Sequence, residues 1–351
     1  MSLAAALSLS ASAPACAKAR STATAAGDSS SPSAAPGEPS AACQRADVCG
    51  WHVRRCAVPG LYGVSDIARD ADGRFWLLPE RQPGDSASAD REIVPVDIPA
   101  GGGPPRLDEA GAVRFRLPDG PLDTESLVPV PGAFLVGTES NTTGLGYETI
   151  YRVALDRAAA SVQPWAKIDL SAWSLRSKEN KGIEAMCRAG GRVVAVLEQW
   201  ASHGDETASP MAVFDERKPE QGPIFTGRLL HARRDTRISA MTCAPSDGGI
   251  TLSVLEVEGG RGRPSIHLLR TLAMSSAGAT RDESTIDVDA IVRRAWQEEV
   301  PNFEGVAYAS GGFVVVSDND NDGKRRGPTW LVELTTDAQS ARGSAADSGC
   351  E

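Results

Sequence analysis

Five short stretches of this chain follow one plan: a few apolar residues, a tight glycine turn, a second apolar strand and an acid. TESLVPVPGAFLVGTES sets Glu125 and Glu139 fourteen residues apart, IEAMCRAGGRVVAVLE does the same with Glu184 and Glu198, and FEGVAYASGGFVVVSD with Glu304 and Asp318. The midpoints fall on Gly132, Gly191 and Gly311, each inside a Pro-Gly or Gly-Gly turn. Residues equidistant from a hairpin turn face each other across the ladder, so each repeat is predicted to hold two carboxylates side by side. Like charges so placed are costly without a cation. Two further copies, VSDIARDADGRFWLLPE and ISAMTCAPSDGGITLSVLE, keep the second acid (Glu80, Glu256) and have Ser65 and Ser239 in place of the first.

The anchors 65, 125, 184, 239 and 304 are spaced by 60, 59, 55 and 65 residues. A recurrence of that length, with β-rich segments such as YETIYRVAL and SIHLLRTLA between the hairpins, implies a repeat of about four strands. Repeated four-stranded sheets bury both faces when arranged radially, so the predicted fold is an all-β propeller of five blades, with six as the alternative. The last hairpin ends too near residue 335 for a full unit, so strands around Trp51 to Tyr62 are expected to complete the final blade. STIDVDAIVRRAWQEE, residues 284–299, reads as one short inserted helix capped by Ser or Asp.

The chain has 36 Lys+Arg against 46 Asp+Glu, a formal charge of −10, which opposes nucleic-acid binding. Residues 1–19 read as a targeting segment of the signal or lipoprotein type, with Cys16 as a candidate lipid anchor. Residues 20–42, rich in Ser, Ala and Pro, read as a flexible tether. Residues 43–340 form the propeller and 341–351 a tail containing Cys350. No segment approaches the length of a spanning helix. The expected location is therefore outside the cytoplasm: periplasmic, outer-membrane lipoprotein or secreted. Setting Cys16 aside leaves six cysteines, an even number suited to an oxidising compartment. Cys187 and Cys243 sit in matching strands of successive repeats and are expected to bridge them. Cys350 is expected to pair with one of Cys43, Cys49 or Cys56.

The repeats resemble the phytase-like family, also called esterase-like activity of phytase. FEGVAYASGGFVVVSDND is similar to its Glu-Gly hairpin ending in Ser-Asp, and NKGIEAM carries an Asn-x-Gly-x-Glu pattern through Asn180, Gly182 and Glu184. FWLLPERQP resembles its first motif at Glu80 and Arg81, with Pro79-Glu80 where Ser-Asp is usual. The resemblance covers roughly residues 60 to 335 and implies a propeller, with hydrolysis of phosphoesters as the associated activity.

If the anchoring strands are innermost, Glu125, Glu184 and Glu304 converge at one end of the channel and are the catalytic candidates. Glu80, Glu139, Glu198, Glu256 and Asp318 lie beside them, with Glu139, Glu198 and Asp318 as metal ligands and Ca²⁺ or another divalent ion favoured by hard oxygen donors. Asp320 and Asp322 join this set through DNDNDG, which imitates the start of a calcium loop but has Thr329 at its twelfth position. Arg81, Lys181 and Arg237 are the candidate substrate-binding cations. No GxSxG, HExxH or P-loop occurs, so neither a serine triad nor a nucleotide cofactor is expected. Two functions follow: a metal-assisted phosphoester hydrolase, or a non-catalytic propeller binding a small ligand or an envelope protein. A monomer is expected in either case.

Overall fold

A computed structural model describes residues 43–61, 63–79, 90–99, 102–120, 122–139, 143–155, 160–178, 181–198, 201–203, 206–258, 266–319 and 327–336. The targeting segment, the tether, the tail with Cys350, and Glu80, Arg81, Asp320 and Asp322 lie outside these residues.

The chain begins with β1 (Gln44–Val48) and β2 (Trp51–Val58). Blade one follows with β3 (Val64–Arg69), β4 (Phe75–Pro79), β5 (Asp90–Asp97), β6 (Arg106–Leu107) and β7 (Val113–Arg116). Blade two is β8 (Asp123–Val130), β9 (Ala133–Glu139), β10 (Tyr147–Ala154) and β11 (Ser161–Asp169). Blade three is β12 (Ile183–Ala189), β13 (Arg192–Leu197), β14 (Ala201–His203), β15 (Glu206–Asp215) and β16 (Phe225–Leu230). Blade four is β17 (Thr236–Ser246), β18 (Gly249–Glu258), β19 (Ile266–Ser275) and β20 (Thr280–Asp287). After α1 (Val288–Trp296) come β21 (Asn302–Ala309), β22 (Gly312–Asp318) and β23 (Thr329–Thr336).

The last sheet runs β1-β2-β23-β22-β21, so the first two strands of the chain complete the fifth blade. Five sheets are present among the described residues, which selects five blades over six. The count of four strands per blade holds for blades two and four. In blade one, β6 and β7 both pair with β5, and in blade three β15 carries both β14 and β16. Closure is reinforced by the ion pair of Arg54 with Glu333 and by Arg55, whose guanidinium lies 4.5 Å from both the Trp296 and Trp330 rings.

The inner strands β3, β8, β12, β17 and β21 touch one another around a closed ring. Alternation along each strand then supplies a core at both of its seams. In RVVAVL, Val193, Ala195 and Leu197 face blade two, while Val194 and Val196 face blade four. Such strands read as continuous apolar runs because both faces are covered. Each of the five seams holds one apolar cluster. Helix α1 adds Val288, Ile291 and Val292 to the seam of blades four and five. Asp287 caps it by accepting from Ala290 N at 2.8 Å; the sequence placed its start earlier, where β20 instead continues the blade.

Polar groups latch the seams as well. Asp66 accepts from Ile67 N and, across the seam, from Leu127 N, each at 2.8 Å. Ser126 Oγ donates to Ile183 O at 3.1 Å between blades two and three. Gly182 is needed there: a Cβ would stand 2.4 Å from Thr138 O.

Cys187 and Cys243 are disulfide-bonded and tie β12 to β17, as expected from their matching places. Cys43 bonds Cys56, which removes both as partners for Cys350. Cys49 is also disulfide-bonded, and Cys350 lies outside the described residues.

Candidate functional site

All five hairpins share one irregularity. The ladder register shifts once in each, between Val64 and Asp66, Thr124 and Ser126, Ile183 and Ala185, Ile238 and Ala240, and Phe303 and Gly305. The residues skipped are Ser65, Glu125, Glu184, Ser239 and Glu304, so every anchor is the extra residue of a β-bulge. A bulge leaves its extra residue unpaired and re-aims the side chain. The predicted face-to-face carboxylates are therefore corrected. Glu139 stands opposite Asp123, and Asp318 opposite Asn302. Glu198 N donates to Gly182 O rather than meeting Glu184 across the ladder.

Turned out of the ladder, Glu184 and Glu304 meet acids of the second strands at the end of the channel remote from the hairpin turns. Glu139, Glu184 and Glu198 each offer a carboxylate oxygen, and these atoms lie within 4.8 Å of one another. All three residues are buried. Arg237, from the strand before the fourth bulge, reaches across: Nη1 is 2.9 Å from Glu184 Oε1, and Nη2 is 3.4 Å from Glu304 Oε1. Its Nη1 also lies 3.8 Å from Glu198 Oε1, and Lys181 pairs with that same oxygen. Asn302 donates to Glu304 Oε1 at 2.7 Å. Glu184, Glu198 and Glu304 thus face two cations, and Glu139 brings a further acid to the group.

Burial pushes the Glu184 carboxyl well above the usual carboxylate range, the Glu198 charge adds to this, and Arg237 opposes it. For Arg237, burial alone would lower the pKa, but Glu184, Glu304 and Glu198 raise it further, so its charge is fixed. Glu148, on β10, is buried with no hydrogen-bond partner for Oε1 among the described residues. Burial pushes its carboxyl up to about 8.

The predicted site residues therefore divide. Glu139, Glu184, Glu198, Glu304, Lys181 and Arg237 come together. Glu125 and Asp318 do not join the three-carboxylate group, which takes Glu184 in place of Asp318. Glu256 is a clear correction. It pairs with Ile238 and points to the opposite face, accepting from Ala232 N and Thr236 Oγ1 and pairing with Arg270. Asn302 and Glu148 were missed. Asn302 had a readable signal, standing two residues before its bulge as Arg237 does; Glu148 had none.

A divalent cation fits these residues. Two oxygens on opposite sides of Ca²⁺, each about 2.3–2.6 Å from it, stand about 4.6–5.2 Å apart, which matches this group. The donors are all hard carboxylate oxygens, the type that Ca²⁺ takes.

A ring of five blades with acids and one shared guanidinium at its axis defines the class: a five-bladed propeller with a polar site at one channel mouth. Residues 59–321 match the family model Phytase-like, described as esterase-like activity of phytase, and the chain belongs to this family. No curated protein matches the chain. Among solved structures, the GH43_1 enzyme from Xanthomonas citri is similar at 13% identity and TM-score 0.48, covering 83% of this chain and 92% of that one. Glutaminyl cyclase from Myxococcus xanthus is similar at 11% identity and TM-score 0.44, covering 82% and 97%. The propeller assignment rests on this chain's own strand pairing.

Proposed function

We propose that this chain is an exported, metal-assisted phosphoester hydrolase acting on a small molecule at the acidic mouth. The observation that carries the reading is the group of three buried carboxylates, Glu139, Glu184 and Glu198, with oxygens within 4.8 Å of one another. A divalent cation bound there would supply a water of lowered pKa as nucleophile. Arg237 and Lys181 stand beside the carboxylates and would oppose the charge of a phosphoryl group. Asn302 holds Glu304, and Glu304 in turn holds Arg237, so the guanidinium is oriented before a substrate arrives. Family membership supports the phosphoester class. The disulfides and the apolar N-terminal sequence support export; no helix among the described residues is long and apolar enough to cross a membrane.

The second reading is a propeller that binds a ligand or envelope protein without turnover. It is favoured by the pairing of Arg237 with Glu184 and Glu304, which already satisfies part of the acidic group. Elemental analysis of the purified protein, with turnover on a panel of phosphoesters, separates the two. The hydrolase reading expects about one divalent ion per chain and a loss of activity of at least a hundredfold in Glu184→Gln and Glu198→Gln. Unchanged melting in chelator together with no turnover would exclude it.

A further inference from the structure

A large cavity lies away from the acidic mouth. It occupies the other end of the channel, among the hairpin turns, with a volume of about 640 Å³. Its floor is built by the residue two places beyond each bulge: Ile67, Leu127, Met186, Met241 and Val306. One residue from every blade therefore contributes, and all five are apolar and buried. The floor separates this cavity from the acids. Trp76, Phe134, Pro129 and Pro131 add apolar walls, and Thr242 of blade four also lines the cavity.

Charge at the rim is unequal. Asp70 is occupied by Arg74 N, Asp72 N and the Trp76 indole N–H. Arg74 pairs with Asp108 and Arg188 with Glu216. Arg69 differs from both. Among the described residues no carboxylate pairs with it; its Nε donates to Gly73 O at 3.2 Å, and its guanidinium lies 5.5 Å from the Phe75 ring. Its terminal nitrogens remain as donors at the edge of an apolar bowl. Ligand sites of about 300–1,000 Å³ combine such an apolar lining with a few placed polar groups.

We infer that this turn-side cavity is a second binding site, for a small amphipathic anion whose apolar body rests on the five-residue floor and whose charge meets Arg69. It is independent of the reading proposed for the acidic mouth. A guanidinium donates to carboxylate, sulfonate or phosphate oxygens. A neutral ligand of the same shape would leave that contact unused.

The probe is 1-anilinonaphthalene-8-sulfonate, titrated into the folded full chain with its melting transition monitored in parallel. Saturable binding of one probe per chain is expected, with N-phenyl-1-naphthylamine, its neutral relative, at least tenfold weaker. Arg69→Glu should weaken the sulfonate at least tenfold, whereas Arg281→Glu, on the exposed outer strand of blade four, should change it less than twofold. Thr242→Trp should abolish binding by filling the bowl from a partly exposed position. No saturable binding to the folded protein, equal affinity in the two arginine variants, or retention by Thr242→Trp would each overturn the inference.

Discussion

Arg237 Nη1 lies 2.9 Å from Glu184 Oε1, and the two residues come from neighbouring blades. The same guanidinium reaches Glu304 in blade five, so a single side chain of blade four joins three blades at the axis. The arginine is 30% exposed and Glu184 8%. Deleting one partner of such a pair leaves a buried charge uncompensated. Arg237→Ala is expected to cost about 2–3 kcal/mol, below the full buried-pair figure because the arginine is partly exposed. Adding Glu184→Gln should recover at least half of that loss. Urea denaturation of the two single variants and the double variant checks it; strictly additive effects would show that the pair is not coupled.

Glu148 makes stability depend on pH in a stated direction. Its carboxyl is raised to about 8 in the folded chain, from an ordinary value of 4.5. Between those values the folded state holds more protons than the unfolded one, so this group's contribution falls as pH rises. The slope is at most about 1.4 kcal/mol per pH unit within that window. Glu148→Gln should therefore raise the midpoint of unfolding more at pH 8 than at pH 5. An equal effect at both would place the titration elsewhere.

The Cys187–Cys243 bond closes a segment of 56 residues between two inner strands. The chain-entropy account gives about 4 kcal/mol for a loop of that size. The double variant Cys187→Ser/Cys243→Ser should fold with a lower thermal midpoint. Because Cys43–Cys56 is retained in that variant, a reductant should lower its midpoint further. No difference between variant and parent would show that the seam of blades three and four needs no covalent tie.

Glu256 and Glu198 end similar hairpins yet should behave oppositely. Glu256 satisfies the buried Arg270, so Glu256→Ala should destabilise by about 3–5 kcal/mol and leave divalent-ion affinity within twofold. Glu198→Gln should weaken that affinity at least tenfold with a smaller loss of stability. Calorimetric titration with Ca²⁺ and Mn²⁺, beside denaturation, reads both quantities.

That contrast also shows what the sequence could reveal. The five anchors were legible because each is followed by an apolar run and a glycine turn, and their spacing of about sixty residues is the blade repeat. The bulge was not legible, since one unpaired residue leaves the spacing from acid to acid unchanged. It turned Glu125, Glu184 and Glu304 out of the ladder. Face parity explains Glu256. Counted from the first residue of the second strand, Glu139, Glu198 and Asp318 each stand seventh, whereas Glu256 stands eighth. A slip of one residue exchanges the two faces of a strand. Arg237 was picked for its charge, but its reach to two other blades depends on the ring closing, which no local pattern encodes. Glu148 stayed hidden because it sits in the third strand of its blade, outside the repeated hairpin.

The fifth sheet joins β2, near the start of the chain, to β23, near its end. Until residues 329–336 have emerged, β2 lacks that neighbour and presents an open edge ready for foreign strands. Stability therefore cannot accumulate blade by blade as in an open solenoid, whose units need only adjacent neighbours. Removal of β1 and β2 should leave the fifth blade three strands wide with β23 as a raw edge, and completion of the ring is an event that waits for both ends of the chain.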